Sequence, residues 1–111
     1  MNQKFKNCIE ACLACAAACD QCATECLNED DVKMLVQCIQ LDRQCATICY
    51  AAAKMMSIGG AHASHLCQEC AEICNACAAE CDKHAAHGMD HCRECAEACR
   101  RCAAACEAMA A

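Results

Sequence analysis

Cysteines recur along this chain in steps of three and four residues, and this spacing constrains the fold more than any other feature. One series runs through Cys8, Cys12, Cys15, Cys19, Cys22 and Cys26. Two further series run through Cys67, Cys70, Cys74, Cys77 and Cys81, and through Cys92, Cys95, Cys99, Cys102 and Cys106. Alternating steps of three and four residues return to the same face of an α-helix. The pattern therefore predicts three helices that each carry thiols along one face.

Three short segments interrupt the helical pattern, and they carry the Asn, Asp, Ser and Gly residues that begin and end helices. They are 28–31, 57–61 and 84–90, and the chain contains no Pro and only three Gly. The predicted helices lie near residues 3–27, 31–56, 62–84 and 89–108. Because short connections favour antiparallel neighbours, the predicted fold is all-α, an antiparallel, up-down-up-down four-helix bundle with a cysteine-lined interior. At 111 residues, the chain has the length of a single domain, residues 1–111.

The interior of such a bundle has to be built largely from cysteine. Leu, Ile, Val, Phe and Tyr together number only 14, against 19 Cys. The second helix has the fewest thiols, with Cys38, Cys45 and Cys49. Its other inward positions are expected near Met34, Leu41 or Asp42, Ala52 and Met56. The second helix should therefore supply the apolar share of the packing.

Simple packing does not account for so many inward cysteines, because Leu at the same positions would bury more apolar surface. Disulfides within one helix are also disfavoured. Side chains at i,i+3 or i,i+4 have Cβ atoms roughly 5–6 Å apart, whereas a disulfide requires about 3.8 Å. A metal ion held between two sulfurs, with bonds of a little over ~2 Å, spans the gap between helical neighbours. The spacing therefore favours metal binding by all nineteen cysteines.

Thiolates favour Cu(I), Zn(II) and iron–sulfur clusters, whereas hard cations prefer oxygen. A continuous row does not divide into the separate groups of four that tetrahedral zinc or cubane clusters use. One Cu(I) per thiolate would also leave the interior neutral, whereas chains of a divalent ion would bury positive charge. Cu(I), with many ions per chain, is the favoured ligand, and zinc or another thiophilic ion remains the alternative.

A thiol redox protein is the alternative from a different functional class. Six Cys-x2-Cys pairs occur, but redox motifs of the thioredoxin kind need an exposed nucleophile at a helix start that follows a strand. No strand is predicted, so we expect storage without catalysis. The first residues show no secretory pattern, and a high cysteine content in a reducing compartment indicates metal chemistry. The expected location is the cytoplasm, with cytosolic copper donors or acceptors as partners.

Charge and hydropathy argue against two classes of partner. The formal net charge is −6, with aromatic residues at 2% of the chain. Such a surface offers neither a basic patch nor a stacking platform for nucleic acid. No segment approaches the length of about 18 charge-free apolar residues that would predict a membrane span. Neither nucleic acid nor a membrane is therefore expected as a partner.

The two ends of the predicted bundle differ in their side chains. His84, His87 and His91, together with Met34 and Met89, are expected to gather near Cys26, Cys38, Cys81 and Cys92. His91 is the best candidate ligand among them because it directly precedes Cys92, and His87 is a second candidate. The opposite end should be closed mainly by Met55, Met56 and Met109. Copper is therefore expected to enter at the histidine end, where weaker ligands can pass it to thiolates.

Asp42 lies on or beside the inward face of the second helix. A carboxylate at this position either ligates metal within the row or pairs with Arg43 or a Lys outside it. The sequence leaves both readings open, and Asp42 is kept as a candidate metal ligand.

The sequence resembles the cytosolic copper storage protein family. The resemblance rests on the cysteine series from 8 to 26, on Cys38-Ile-Gln-Leu-Asp-Arg-Gln-Cys-Ala-Thr-Ile-Cys49, and on Cys81-Asp-Lys-His-Ala-Ala-His-Gly-Met-Asp-His-Cys92. It covers essentially the whole chain. The resemblance implies a homotetramer of four-helix bundles, Cu(I) held mainly by Cys-x3-Cys and Cys-x2-Cys pairs, and entry at one histidine-bearing end.

Overall fold

Four long helices form the protein in a computed structural model that describes residues 3–110. They are α1 (Gln3–Leu27), α2 (Val36–Ile58), α3 (Ala63–Ala85) and α4 (Asp90–Ala110), with a short 3₁₀ turn at Val32–Leu35 before α2. Residues 1, 2 and 111 of the predicted domain lie outside the described residues. Within the described range, the secondary structure is helical, and the all-α prediction is confirmed.

Each helix packs against its two neighbours around a square: α1 and α3 each lie between α2 and α4. The bundle measures 44 × 18 × 17 Å, so it is one helix long and two helices wide. Thiols of α1 meet those of α4 in opposite chain order, with Cys8 near Cys106 and Cys22 near Cys92. The same reversal relates α2 to α3, and the up-down-up-down arrangement follows.

Glycine ends α2 and shapes the connection between α3 and α4. Gly59 and Gly88 have φ values of 86° and 89°, a backbone conformation that side-chain-bearing residues rarely adopt. The Gly59 N–H donates a 2.9 Å hydrogen bond to the Met55 carbonyl and so satisfies one of the last carbonyls of α2. These short turns bring consecutive helices back alongside one another.

The start of the second helix differs from the prediction. A 3₁₀ turn occupies Val32–Leu35, and the α-helix begins at Val36 and runs to Ile58. Leu35 is fully buried, whereas Met34 is 62% exposed, so the predicted inward position of Met34 is wrong. The buried residue is therefore Leu35, three residues before Cys38, and not Met34, four residues before it. A 3₁₀ turn has three residues per turn, so it shifts which side chain faces inward where the chain enters the α-helix.

Candidate metal centre

All nineteen cysteines are free thiols in the interior of the bundle, and none is more than 1% exposed. Their burial follows from the three-and-four spacing, which keeps one face of each helix toward the bundle axis. Small alanines such as Ala16, Ala46, Ala71 and Ala96 are buried between them and allow the helices to approach. The interior is a row of sulfur atoms that runs between the two ends of the molecule.

Many neighbouring sulfurs lie within 4.0 Å of each other. The Sγ atoms of Cys15 and Cys19, within one helix, are 3.9 Å apart. Across helices, Cys45 and Cys74 are 3.6 Å apart and Cys49 and Cys102 are 3.8 Å apart. Two thiolates on one metal ion, with bonds of about 2.3 Å, lie about 4.0 Å apart at a 120° angle and about 4.6 Å apart in a straight line. The observed gaps therefore admit a bridging metal after small side-chain adjustments.

The thiols form groups that share members. One group of four contains Cys15, Cys45, Cys49 and Cys74, and another contains Cys15, Cys19, Cys45 and Cys99. Within each group, every pair of potential ligand atoms lies within 4.8 Å. An ion in one group would therefore share sulfurs with an ion in the next. Such sharing suits a metal ion that accepts bridging thiolates. It does not suit isolated tetrahedral zinc sites, in which each ion has four ligands of its own.

Asp42 lies on the thiol row, which settles the choice between Leu41 and Asp42. Its side chain is fully buried. Cys77 and Cys95 donate S–H hydrogen bonds to Oδ1 at 3.2 and 3.3 Å, and Cys81 and Cys38 approach the carboxyl group at 3.7 and 3.9 Å. Burial raises the pKa of Asp42 from 3.8 to about 9, because the charged form loses its hydration. The carboxyl group of Asp42 thus lies among four thiols, away from any outside partner.

His91 lies at the start of α4 and faces the thiol row beside the last turns of α1. Its Nδ1 is 3.5 Å from the sulfur of Cys92, 3.7 Å from Cys22 and 4.0 Å from Cys26. These residues also form a potential metal-binding group. On the opposite side of the ring, Nε2 lies 3.0 Å from Oε2 of Glu29. Because a carboxylate only accepts hydrogen bonds, Nε2 carries the proton, and Nδ1 is directed at the sulfurs.

The other histidines of that end take different positions. His84 is mostly buried, and its Nε2 lies 3.0 Å from Oε2 of Glu80, one turn earlier on α3. His87 is exposed in the connection between α3 and α4. Met89 packs against the core, whereas Met34 points to solvent. His91 is thus the histidine whose contacts with the thiols are established.

Two thiols near opposite ends of the row, Cys26 and Cys67, have raised pKa values. Burial raises the pKa of Cys26 to about 12 and that of Cys67 to about 11, since a thiolate is poorly solvated there. Metal binding at these residues must therefore displace a proton at neutral pH.

Glu29 was not anticipated as part of the site. It lies three residues after Cys26, which continues the same helical spacing by one step beyond the last thiol of α1. This spacing indicates that Glu29 lies on the same face as the thiols. However, Glu29 falls in a predicted break between helices, where helical spacing is a weaker guide to which way a side chain points.

The fold and the buried thiols together define a class: helical bundles that hold soft metal ions in a cysteine-lined interior. The family model described as copper storage protein matches residues 1–111. The chain belongs to the copper storage protein family.

Individual relatives agree with this assignment. The structure described as Cu(I)-bound copper storage protein BsCsp3 is 47% identical, with a TM-score of 0.91, and the match covers 98% of this chain and 100% of that chain. A cytosolic copper storage protein from Streptomyces lividans, described as loaded with five coppers, is 42% identical with a TM-score of 0.93, covering 97% of this chain and 92% of that chain.

A curated relative, the uncharacterized cysteine-rich protein YhjQ from Bacillus subtilis (strain 168), is 47% identical over 67 residues. That match covers 60% of this chain and 62% of the relative's length.

Among the helices of residues 3–110, none has the length and apolar character needed to cross a membrane.

Proposed function

We propose that this protein stores many Cu(I) ions in the interior of its helical bundle. The observation that carries the proposal is the continuous row of nineteen buried thiols, whose overlapping groups allow neighbouring ions to share sulfurs. Cu(I) is a soft ion that thiolates bind well. The Cu(I)-bound relative and the copper-loaded relative, which share the fold at more than 40% identity, support the choice of metal.

The proposed ligands are the nineteen cysteines, with Asp42 within the row and His91 at its end. His87 stays a weaker candidate, because it is exposed in the connection between α3 and α4, four residues before His91. We place copper entry at the His91 end, where an imidazole nitrogen faces three thiols. The unit of storage is the single domain spanning residues 1–111.

We further propose that storage proceeds without catalysis, in the cytosol, and in a homotetramer. A redox role requires thiolates that oxidants can reach, and burial of every thiol opposes it. The cytosolic description of the Streptomyces relative supports the location. The tetramer rests on the family resemblance, and sedimentation of the purified full chain tests it: a mass near four chains is expected, and a monomer would contradict it.

An anaerobic titration of the fully reduced chain with Cu(I) tests the storage function. The near-ultraviolet absorption of copper–thiolate bonds should rise in proportion to added copper and break at roughly one ion per cysteine. A parallel titration with Zn(II) serves as the comparison and should saturate at far fewer ions. A break at one Cu(I) equivalent, or no break, would contradict storage.

A further inference from the structure

The thiol row comes closest to the surface near the two ends of the molecule. Three cysteines retain accessible surface, each 1% exposed: Cys22 beside His91, and Cys8 and Cys67 at the opposite end. That opposite end, where α1 and α3 begin and α2 and α4 finish, is called the terminal end. The sequence led us to expect that methionines close it.

Two methionines continue the thiol row at the terminal end. Met109 lies three residues after Cys106 on α4, and Met56 lies seven residues after Cys49 on α2. Both steps keep the side chain on the inward face of its helix. Met56 is buried, and Met109 packs partly buried against the core. The row of thiols therefore ends at a layer that contains two thioether sulfurs.

These residues surround an opening in the surface. A recess of about 300 Å³ is lined by Phe5, Met56, Ala63, Ser64, Cys67 and Met109, among others. The cavity beside His91 has a volume of only about 20 Å³. One thiol and two thioethers thus line the recess at the terminal end.

We propose that Cys67, Met56 and Met109 form a second Cu(I) site, through which copper exchanges at the terminal end. This inference rests on the proposed storage function. Thioether sulfur is a soft ligand that suits Cu(I), and it carries no proton at neutral pH, so it can accept the ion without displacing one. Once a cysteine of the row has released its proton, its thiolate binds Cu(I) more strongly than the methionines do, and the ion moves inward.

Further thiols lie close together behind this site. Cys67 and Cys8 both lie in the buried core at the terminal end. Cys8 lies 3.7 Å from Cys106, which lies 3.6 Å from Cys12. In the first transfer, a bond from copper to Cys67 forms, a bond from copper to a methionine breaks, and the thiol proton leaves to water. Copper remains Cu(I) throughout, so no electron acceptor or donor is needed.

The site can be observed through its methionine methyl groups. The full chain, labelled with ¹³C at the methionine ε-methyl carbons, is titrated anaerobically with Cu(I) and followed by NMR. The resonances of Met56 and Met109 should shift on loading, because Cu(I) withdraws electron density from the bound sulfur. Met34, exposed at the other end, is the matched internal control and should not move.

A kinetic comparison provides the second test. The Met56→Leu/Met109→Leu variant keeps the apolar volume but removes both sulfurs, and Met109→Leu alone serves if the double variant does not fold. Removal of copper by a strong Cu(I) chelator should slow several-fold relative to wild type, and Met34→Leu should match wild type. Unchanged rates, or unmoved Met56 and Met109 resonances in a chain that loads copper fully, would overturn the site. A wild-type chain that binds no copper would instead refute storage itself.

Discussion

Asp42 is the one fully buried carboxyl group among residues 3–110, and its environment makes apo stability depend on pH. Burial raises its pKa from 3.8 to about 9. An acidic group whose pKa is raised by folding stabilises the folded state fully at pH values below its pKa in the unfolded chain. That contribution is lost as the pH rises toward its pKa in the folded protein. Asp42 should therefore make the metal-free protein less stable between pH 4 and pH 9.

Replacing Asp42 with Asn should remove this dependence. One pH unit corresponds to about 1.4 kcal/mol, so wild type should lose up to about 3 kcal/mol more stability than Asp42→Asn between pH 5 and pH 7.5. Denaturant unfolding of the reduced, metal-free proteins measures the difference, with exposed Asp30→Asn as the matched control. Parallel pH profiles for wild type and Asp42→Asn would contradict the burial argument.

His91 is the residue through which the histidine end should act. Its Nδ1 faces three thiols, whereas His84 is paired with Glu80. We expect His91→Ala to slow Cu(I) uptake from a competing chelator several-fold, with capacity reduced by about one ion, because imidazole binds Cu(I) reversibly and passes it on. His84→Ala is the control and should have a much smaller effect. Equal uptake rates in wild type and His91→Ala would contradict a role for His91 in copper entry.

At the scale of the elements, the 3₁₀ turn before α2 fixes how that helix enters the bundle. Leu35 is fully buried there beside exposed Met34. Leu35→Ala should destabilise the metal-free protein by about 2–5 kcal/mol, through lost burial and a residual cavity. Met34→Ala should change stability by less than about 0.5 kcal/mol. Equal effects in chemical denaturation would contradict the observed register.

The helices themselves were predictable because their signal is periodic. The thiols of α1, α3 and α4 repeat without a break, and every one of them is buried as the spacing indicates. The junctions were less predictable. Met34 and Leu35 are both apolar, and only the geometry of the 3₁₀ turn decides which one faces inward.

Two features of the candidate site depend on contacts that a single sequence does not reveal. Leu41 and Asp42 are adjacent on α2, about 100° apart around the helix, so the pattern alone left the buried one undecided. The Glu29 and His91 pair joins the end of α1 to the start of α4, 62 residues apart. Its formation depends on how the helices pair in the bundle, which spacing within one helix does not encode.

For the molecule as a whole, loading should be coupled to proton release. Burial raises the pKa of end thiols such as Cys26 and Cys67 to about 12 and about 11, so these thiols carry protons at neutral pH. Each Cu(I) that binds as a thiolate complex displaces protons, and uptake should release about one proton per thiol and strengthen as pH rises. A pH-stat titration measures the release. Copper uptake without proton release would exclude thiolate ligation.

Storage in this bundle requires that Cu(I) ions lie along the bundle axis and share sulfurs. Anomalous scattering at the copper absorption edge, from crystals of the fully loaded protein, locates each ion directly. We predict a row of copper peaks inside the bundle, each within bonding distance of cysteine sulfurs and neighbouring peaks bridged by a common sulfur. Peaks confined to the surface or to the His91 end, or isolated peaks with four unshared ligands each, would contradict sulfur-bridged storage inside the bundle.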